Sequence, residues 1–174
     1  SLSRIYKNTP QLYVFNRMVK KGIFTADINL NFDDKGKVKK DYIIKGSIKE
    51  AKISLLNKQY LENIVLNFEF KDNLYLFNDS KIELNKIKLL SKKIQVKNLN
   101  KNFLIEGDIK HPESFFDFDL LSTYFKNNFK ELGFENINFS SNNNFSFTID
   151  KKFKFSKINI KSKINLKKLN YSLN

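Results

Sequence analysis

The stretch Gly22-Ile23-Phe24-Thr25-Ala26-Asp27-Ile28-Asn29-Leu30-Asn31-Phe32, followed by Asp33-Asp34-Lys35-Gly36 and answered by Tyr42-Ile43-Ile44-Lys45-Gly46-Ser47-Ile48-Lys49, decides the fold. Phe24, Ala26, Ile28, Leu30 and Phe32 share one parity, and Thr25, Asp27, Asn29 and Asn31 share the other. A period of two turns successive side chains to opposite sides of a strand, so one face is apolar and the other wet. Asp-Lys-Gly then reads as a hairpin turn, with Gly36 free to take the positive φ that a short loop uses. On the return, Tyr42, Ile44, Gly46 and Ile48 alternate with Lys45, Ser47 and Lys49.

The alternation recurs to the end of the chain. Ile64, Leu66, Phe68 and Phe70 oppose Val65, Asn67, Glu69 and Lys71; Phe103, Ile105, Gly107 and Ile109 oppose Leu104, Glu106 and Asp108. Shorter segments at 74–77, 81–84, 87–90 and 94–96 are set apart by Asn-, Asp- and Ser-containing breaks and predict bent or bulged strands. The last part predicts strands over 134–139, 145–149, 153–162 and 164–171, where Ile158, Ile160, Ile164 and Leu166 face away from Lys157, Asn159, Lys161, Lys163 and Asn165. Two helices interrupt this pattern. Thr9-Pro10 caps an amphipathic helix over about 10–21, closed by Lys20-Lys21-Gly22. After His111-Pro112, Phe118, Leu121, Phe125 and Leu132 recur at helical intervals, predicting an inserted helix over about 113–132. The fold class expected is mostly β: a long twisted antiparallel sheet of about nine strands, curved into an open groove or partial barrel, with an N-terminal and an inserted helix.

At 174 residues the chain is expected to form a single domain spanning 1–174. With 41% hydrophobic and 29% charged residues it has the apolar content to fold. The formal charge of +14 raises the question of a polyanionic partner. Yet nearly all the cations are Lys, only Arg4 and Arg17 being Arg, and the chain is also rich in Asn, Ile and Phe. All have A/T-rich codons, so base composition accounts for the charge as readily as a partner does. There is no cysteine, hence no disulfide and no thiolate metal ligand. No signal-peptide pattern opens the chain, and it is expected to be a piece of a longer protein.

A search for chemistry is nearly empty. His111 is the one histidine, and it reads as a loop residue beside Pro112. No Gly-x-Ser-x-Gly, phosphate-binding glycine loop or His-Glu-x-x-His occurs. Asp33/Asp34 and Asp117/Asp119 read as turn-forming and solvated acids, so neither catalytic residue, metal nor cofactor is expected. Nucleic acid is disfavoured by parity: Phe145, Phe147, Phe153 and Phe155 occupy the apolar face, whereas a base-stacking platform places aromatics among the cations. A continuous Ile/Leu/Phe face backed by polar residues suits acyl chains, each buried methylene contributing about 0.8 kcal/mol. The same alternation also describes the core of a closed structural domain. Three functions are therefore carried forward: a lipid-binding scaffold, a structural envelope or surface β-domain binding protein or polysaccharide, and an anionic-polymer binder.

The series Lys21-Gly22-Ile23-Phe24-Thr25-Ala26-Asp27-Ile28-Asn29-Leu30, then Asp34-Lys35-Gly36, then Ile44-Lys45-Gly46-Ser47-Ile48-Lys49-Glu50-Ala51-Lys52-Ile53, resembles AsmA-like envelope proteins of the YhdP/TamB type. Phe103-Leu104-Ile105-Glu106-Gly107-Asp108-Ile109 fits the same strand style. The resemblance runs over about residues 11 to 169, and it rests on degenerate strand patterns. It implies a segment of a long periplasmic protein, anchored in the inner membrane elsewhere, whose strands form a groove for phospholipid movement towards the outer membrane. Its partners would be phospholipid acyl chains and the two membranes, with no enzymatic activity. The groove-facing parity nominates Phe24, Ile28, Leu30, Ile44, Ile48, Ile53, Leu66, Phe68, Ile105, Phe147, Ile158 and Ile160 as lipid-binding.

Overall fold

The computed structural model of the chain describes residues 19–39, 41–54, 59–117 and 134–172. Within them lie eight strands: β1 (Val19–Asn29), β2 (Ile43–Ser54), β3 (Tyr60–Lys71), β4 (Leu74–Leu84), β5 (Ile87–Asn98), β6 (Asn102–Asp117), β7 (Phe134–Asp150) and β8 (Phe155–Tyr171). They form one antiparallel sheet in chain order, β1 to β8. The sheet is open, with β1 and β8 as its edges.

Local chemistry explains the hairpins. Asp33 turns the chain beyond β1 by accepting the Lys35 and Lys37 amides on one carboxylate oxygen, both at 2.9 Å. Asp150 repeats the device between β7 and β8, accepting from Lys152 at 2.8 Å and Lys154 at 2.9 Å. Those bonds, the one from Lys154 above all, hold the Asp150 carboxyl below its usual range. The tighter turns place Asp72 and the pair Asn85-Lys86 at positive φ, which short polar residues tolerate better than branched ones.

Several expectations are corrected. The segments predicted at 74–77 and 81–84 are one strand, β4, and those at 87–90 and 94–96 are one strand, β5. Similarly, 134–139 and 145–149 are one strand, β7, and 153–162 and 164–171 merge into β8, which begins at Phe155, so the sheet has eight strands. His111-Pro112 does not interrupt the sheet. It sits inside β6, where the register shifts between His111 and Ser114, the kind of bulge at which a proline without an amide hydrogen is tolerated. Consequently residues 113–117, assigned to the inserted helix, are strand, because backbone pairing to β7 overrides the helical spacing of their apolar residues. Residues 19–21, assigned to the end of the N-terminal helix, are strand for the same reason, Val19 and Lys21 pairing with β2. The rest of both predicted helices, 10–18 and 118–132, lies outside the described residues.

The strands are not regular along their length. β1 pairs irregularly around Gly22, β2 around Glu50, β3 around Asn63 and β4 around Asp79. Glu50, Asn63 and Asp79 all take φ near +50°, at 52°, 50° and 50°. Shifts follow in β5 between Leu90 and Ile94 and in β6 after His111. Each bulge adds a residue, bends its strand and increases local twist. In β5 the Lys92 and Lys93 amides instead donate to the two oxygens of Asp108, at 3.0 and 2.9 Å. One carboxylate thereby satisfies two backbone donors that the irregular pairing turns aside.

Candidate functional site

Cross-strand partners share a face, so the register can be followed from edge to edge. One row runs Ala26, Gly46, Phe68, Phe77, Ile94, Gly107, Phe145 and Ile160, through all eight strands. The next runs Ile28, Ile44, Phe70, Tyr75, Val96, Ile105 and Phe147. Both are apolar throughout. Beyond the bulges, Ile53, Leu61, Leu84 and Ile87 continue the same face. Among the described residues no second sheet or helix is layered on it.

Aromatic rings tile much of this face. Phe24 stacks on Phe68 at 5.0 Å, Phe68 lies 4.9 Å from Phe70, and Phe70 meets Tyr75 edge-on at 5.2 Å. At the other end, Phe145, Phe147 and Phe155 follow at 5.8 and 5.5 Å. Gly46 makes the first cluster possible. A Cβ built there would lie 2.6 Å from Phe68 Cζ and 2.0 Å from the Thr25 carbonyl oxygen, so the Phe68 ring occupies the space that any side chain would need.

The structure brings most of the nominated residues onto this one face. Phe24, Ile48 and Leu66 are cross-strand partners, as are Ile28 and Ile44, Ile105 and Phe147. Phe68 and Ile160 belong to the same eight-strand row, Ile53 pairs with Leu61, and Ile158 follows Lys157, whose φ of 52° marks a bulge. Leu30 differs in lying just past the end of β1.

Sequence reasoning missed the polar residues of the same face. Near the bulges Ser80 pairs with Ser91, and His111 pairs with Ser141; all four are buried. Among the described residues, the Ser80 and Ser91 hydroxyls and both His111 nitrogens have no hydrogen-bond partner. The His111 ring packs between Phe116 and Phe139, at 5.2 and 4.9 Å, and this burial lowers its pKa. Next to it, Asn143 donates to the Ile109 carbonyl and the Ser141 hydroxyl, each at 3.0 Å. The signal for Ser80 was present as a change of parity: Tyr75 and Phe77 are odd, Ile82 and Leu84 even, and the bulge at Asp79 brings Ser80 into the second phase.

The opposite face is polar and, in β2 to β6, internally paired. The row Asp27, Lys45, Glu69, Leu76, Gln95, Glu106, Ser146 and Asn159 carries the Lys45–Glu69 ion pair at 3.3 Å and the Gln95–Glu106 hydrogen bond at 2.8 Å. Lys97 adds a longer contact to Glu106, and Lys52 pairs with Glu62 while lying over the Tyr60 ring. The rings of Phe68, Phe70, Tyr75 and Phe77 therefore lie on the side away from Lys45 and Lys97, whereas the Tyr60 ring lies under Lys52. No group of His, Asp and Glu among the described residues has the arrangement of a metal site. No protein-family model, curated protein or solved structure matches the chain.

Proposed function

We propose that this chain is a non-catalytic scaffold segment that holds phospholipid acyl chains against its apolar face, within a periplasmic protein conducting phospholipids between inner and outer membrane. The inner-membrane anchor would lie outside this chain. The observation that carries the reading is the unbroken apolar row from β1 to β8 without a second layer among the described residues. Seven strand spacings make such a row about 34 Å long. A surface of this kind takes hydrocarbon without a point contact, and an acyl chain of about sixteen carbons gains on the order of 10 kcal/mol on leaving water.

The sheet in this reading is curved, with its crease along the bulges. Bulges bend strands, and in this sheet they fall beside one another in adjacent strands at Glu50, Asn63 and Asp79. Small or tightly packed residues, Ala51, Ile64, Ser80, Ser91 and Ser141, are the buried ones beside them, as the floor of a trough requires. A closed structural core accords less well with the exposure of Phe24, Ile28, Ile158, Ile160 and Ile164 on that face.

Mass spectrometry of organic extracts from gently purified protein tests the proposal, alongside a variant carrying Ile28→Asp and Ile160→Asp. Both residues are exposed, so the variant keeps its fold by circular dichroism. The expected result is phospholipid in the wild type and its loss from the variant. A folded wild type that carries none contradicts the proposal.

A further inference from the structure

A line of exposed lysines crosses the polar face without an ion-pair partner among the described residues. Ser80 and Ser91 turn to the apolar face, so their neighbours Lys81 and Leu90 turn to the polar one. The row they begin runs Lys81, Leu90, Lys110, Asn142 and Lys163, from β4 to β8. With strands about 4.8 Å apart, its lysines stand about 10 Å from one another. Lys92, exposed two residues beyond Leu90, adds a fourth cation. Lys81, Lys92, Lys110 and Asn142 line a hollow of about 340 Å³ around Leu90. Asp79 and Asp108 line it too, but both Asp108 oxygens already accept the Lys92 and Lys93 amides.

The ion pairs among the described residues are Lys45–Glu69, Lys52–Glu62 and Lys97–Glu106, and none includes these four lysines. The residues outside the described ones do not redress the balance: they bring two acids, Asp119 and Glu131, against five lysines with Arg4 and Arg17. We infer that the row is a seat for a linear polyanion laid across β4 to β8 and held by charge alone. Lysines about 10 Å apart, close to the Debye length at physiological salt, act together on one chain. The occupant is a line of charge and not a plane because the flanking rows carry acids. Asp108 lies two residues before Lys110, and Glu83, paired with Glu62, lies two residues after Lys81. An anionic bilayer covering the row would also cover those carboxylates and be repelled by them. Lysine is a point charge that sets no bidentate geometry, and the row holds no aromatic residue, so nothing in it selects a base or a sugar ring. The seat lies on the face opposite the proposed lipid surface, and the inference stands apart from that reading.

The test uses the whole chain in salt titrations with two probes, long-chain inorganic polyphosphate and phosphatidylglycerol vesicles. One variant carries Lys81→Gln, Lys110→Gln and Lys163→Gln. A second, with the same loss of charge, carries Lys35→Gln, Lys37→Gln and Lys151→Gln, in the turns beyond β1 and β7. All six lysines are exposed, so both variants keep the fold by circular dichroism. The wild type is expected to bind polyphosphate. The row variant is expected to bind it about tenfold more weakly at low salt, with a slope of log K against log salt shallower by about 2. The second variant is expected to stay within about twofold of the wild type. No binding of polyphosphate by the wild type, equal weakening in the two variants, or capture of vesicles through the same three lysines overturns the inference.

Discussion

Phe68 and Ile160 lie in one row of one face of one sheet, yet Phe68 is 3% exposed and Ile160 is 63% exposed. Sequence period assigns both to the apolar side. What separates them is lateral cover: Phe68 has Phe24 and Phe70 against its ring and Gly46 beneath it, whereas Ile160 has a strand on one side only. Without a second layer among the described residues, burial comes from neighbouring strands and from bends that bring side chains together. Face and burial are thus separate properties here.

The largest expected effect follows directly from that contrast. Phe68→Ala should destabilise the fold by about 3–5 kcal/mol, as ring truncations in packed sites do, while Ile160→Ala should change it by about 0.5 kcal/mol or less. Urea unfolding of the two variants measures both, and equal losses would mean that the edge is covered in solution. Next in size is Gly46→Val. Its side chain collides with the Thr25 carbonyl and the Phe68 ring, and overpacking of this kind costs about 1–3 kcal/mol. The same unfolding assay reads it, and a neutral result would show that the Phe24–Phe68 stack can move aside.

The smallest effect concerns His111 and appears as a pH dependence. Burial lowers its pKa below the ordinary 6.5, so the unfolded chain takes up the proton more readily than the folded one. Stability contributed by keeping the ring neutral is present above pH 6.5 and is lost as pH falls from there towards the lowered value, with a slope of at most about 1.4 kcal/mol per pH unit. His111→Phe removes the two unpaired nitrogens from between Phe116 and Phe139. It should flatten this part of the curve relative to the wild type without loss of stability at pH 7. Parallel curves for the two proteins would remove His111 as the source.

Much of the fold was legible because the period of two is strong wherever pairing is regular. The hairpin at Asp33 to Gly36 and the shared face of Phe24, Ile48, Leu66 and Phe68 follow from parity and turn chemistry alone. Legibility failed at the bulges. A change of phase, such as Phe77 to Ile82, has two physical meanings, a break between strands or an extra residue within one, and only backbone pairing distinguishes them. Hence β4, β5 and β8 read as pairs of short segments, and the polar run at 140–144 split β7 in the same way. His111-Pro112 misled for a related reason: proline usually ends a strand, but a bulge in β6 dispenses with its missing donor. The helical spacing of Phe118, Leu121, Phe125 and Leu132 was extended back to 113, yet residues up to Asp117 pair with β7. The buried serines and the histidine were hidden because they lie beside register shifts that parity does not locate.

The central claim is that one face of this sheet, and not the other, meets acyl chains. Phe77 and Leu76 are neighbours in β4, both half-buried, one in the apolar row and the other in the polar row between Glu69 and Gln95. Replacing each in turn with a photoreactive benzoyl-phenylalanine and irradiating the protein in the presence of phospholipid vesicles tests the claim most directly. The account predicts lipid adducts from position 77 and background levels from position 76. Equal labelling from both positions, or none from position 77 in a folded protein, would contradict it.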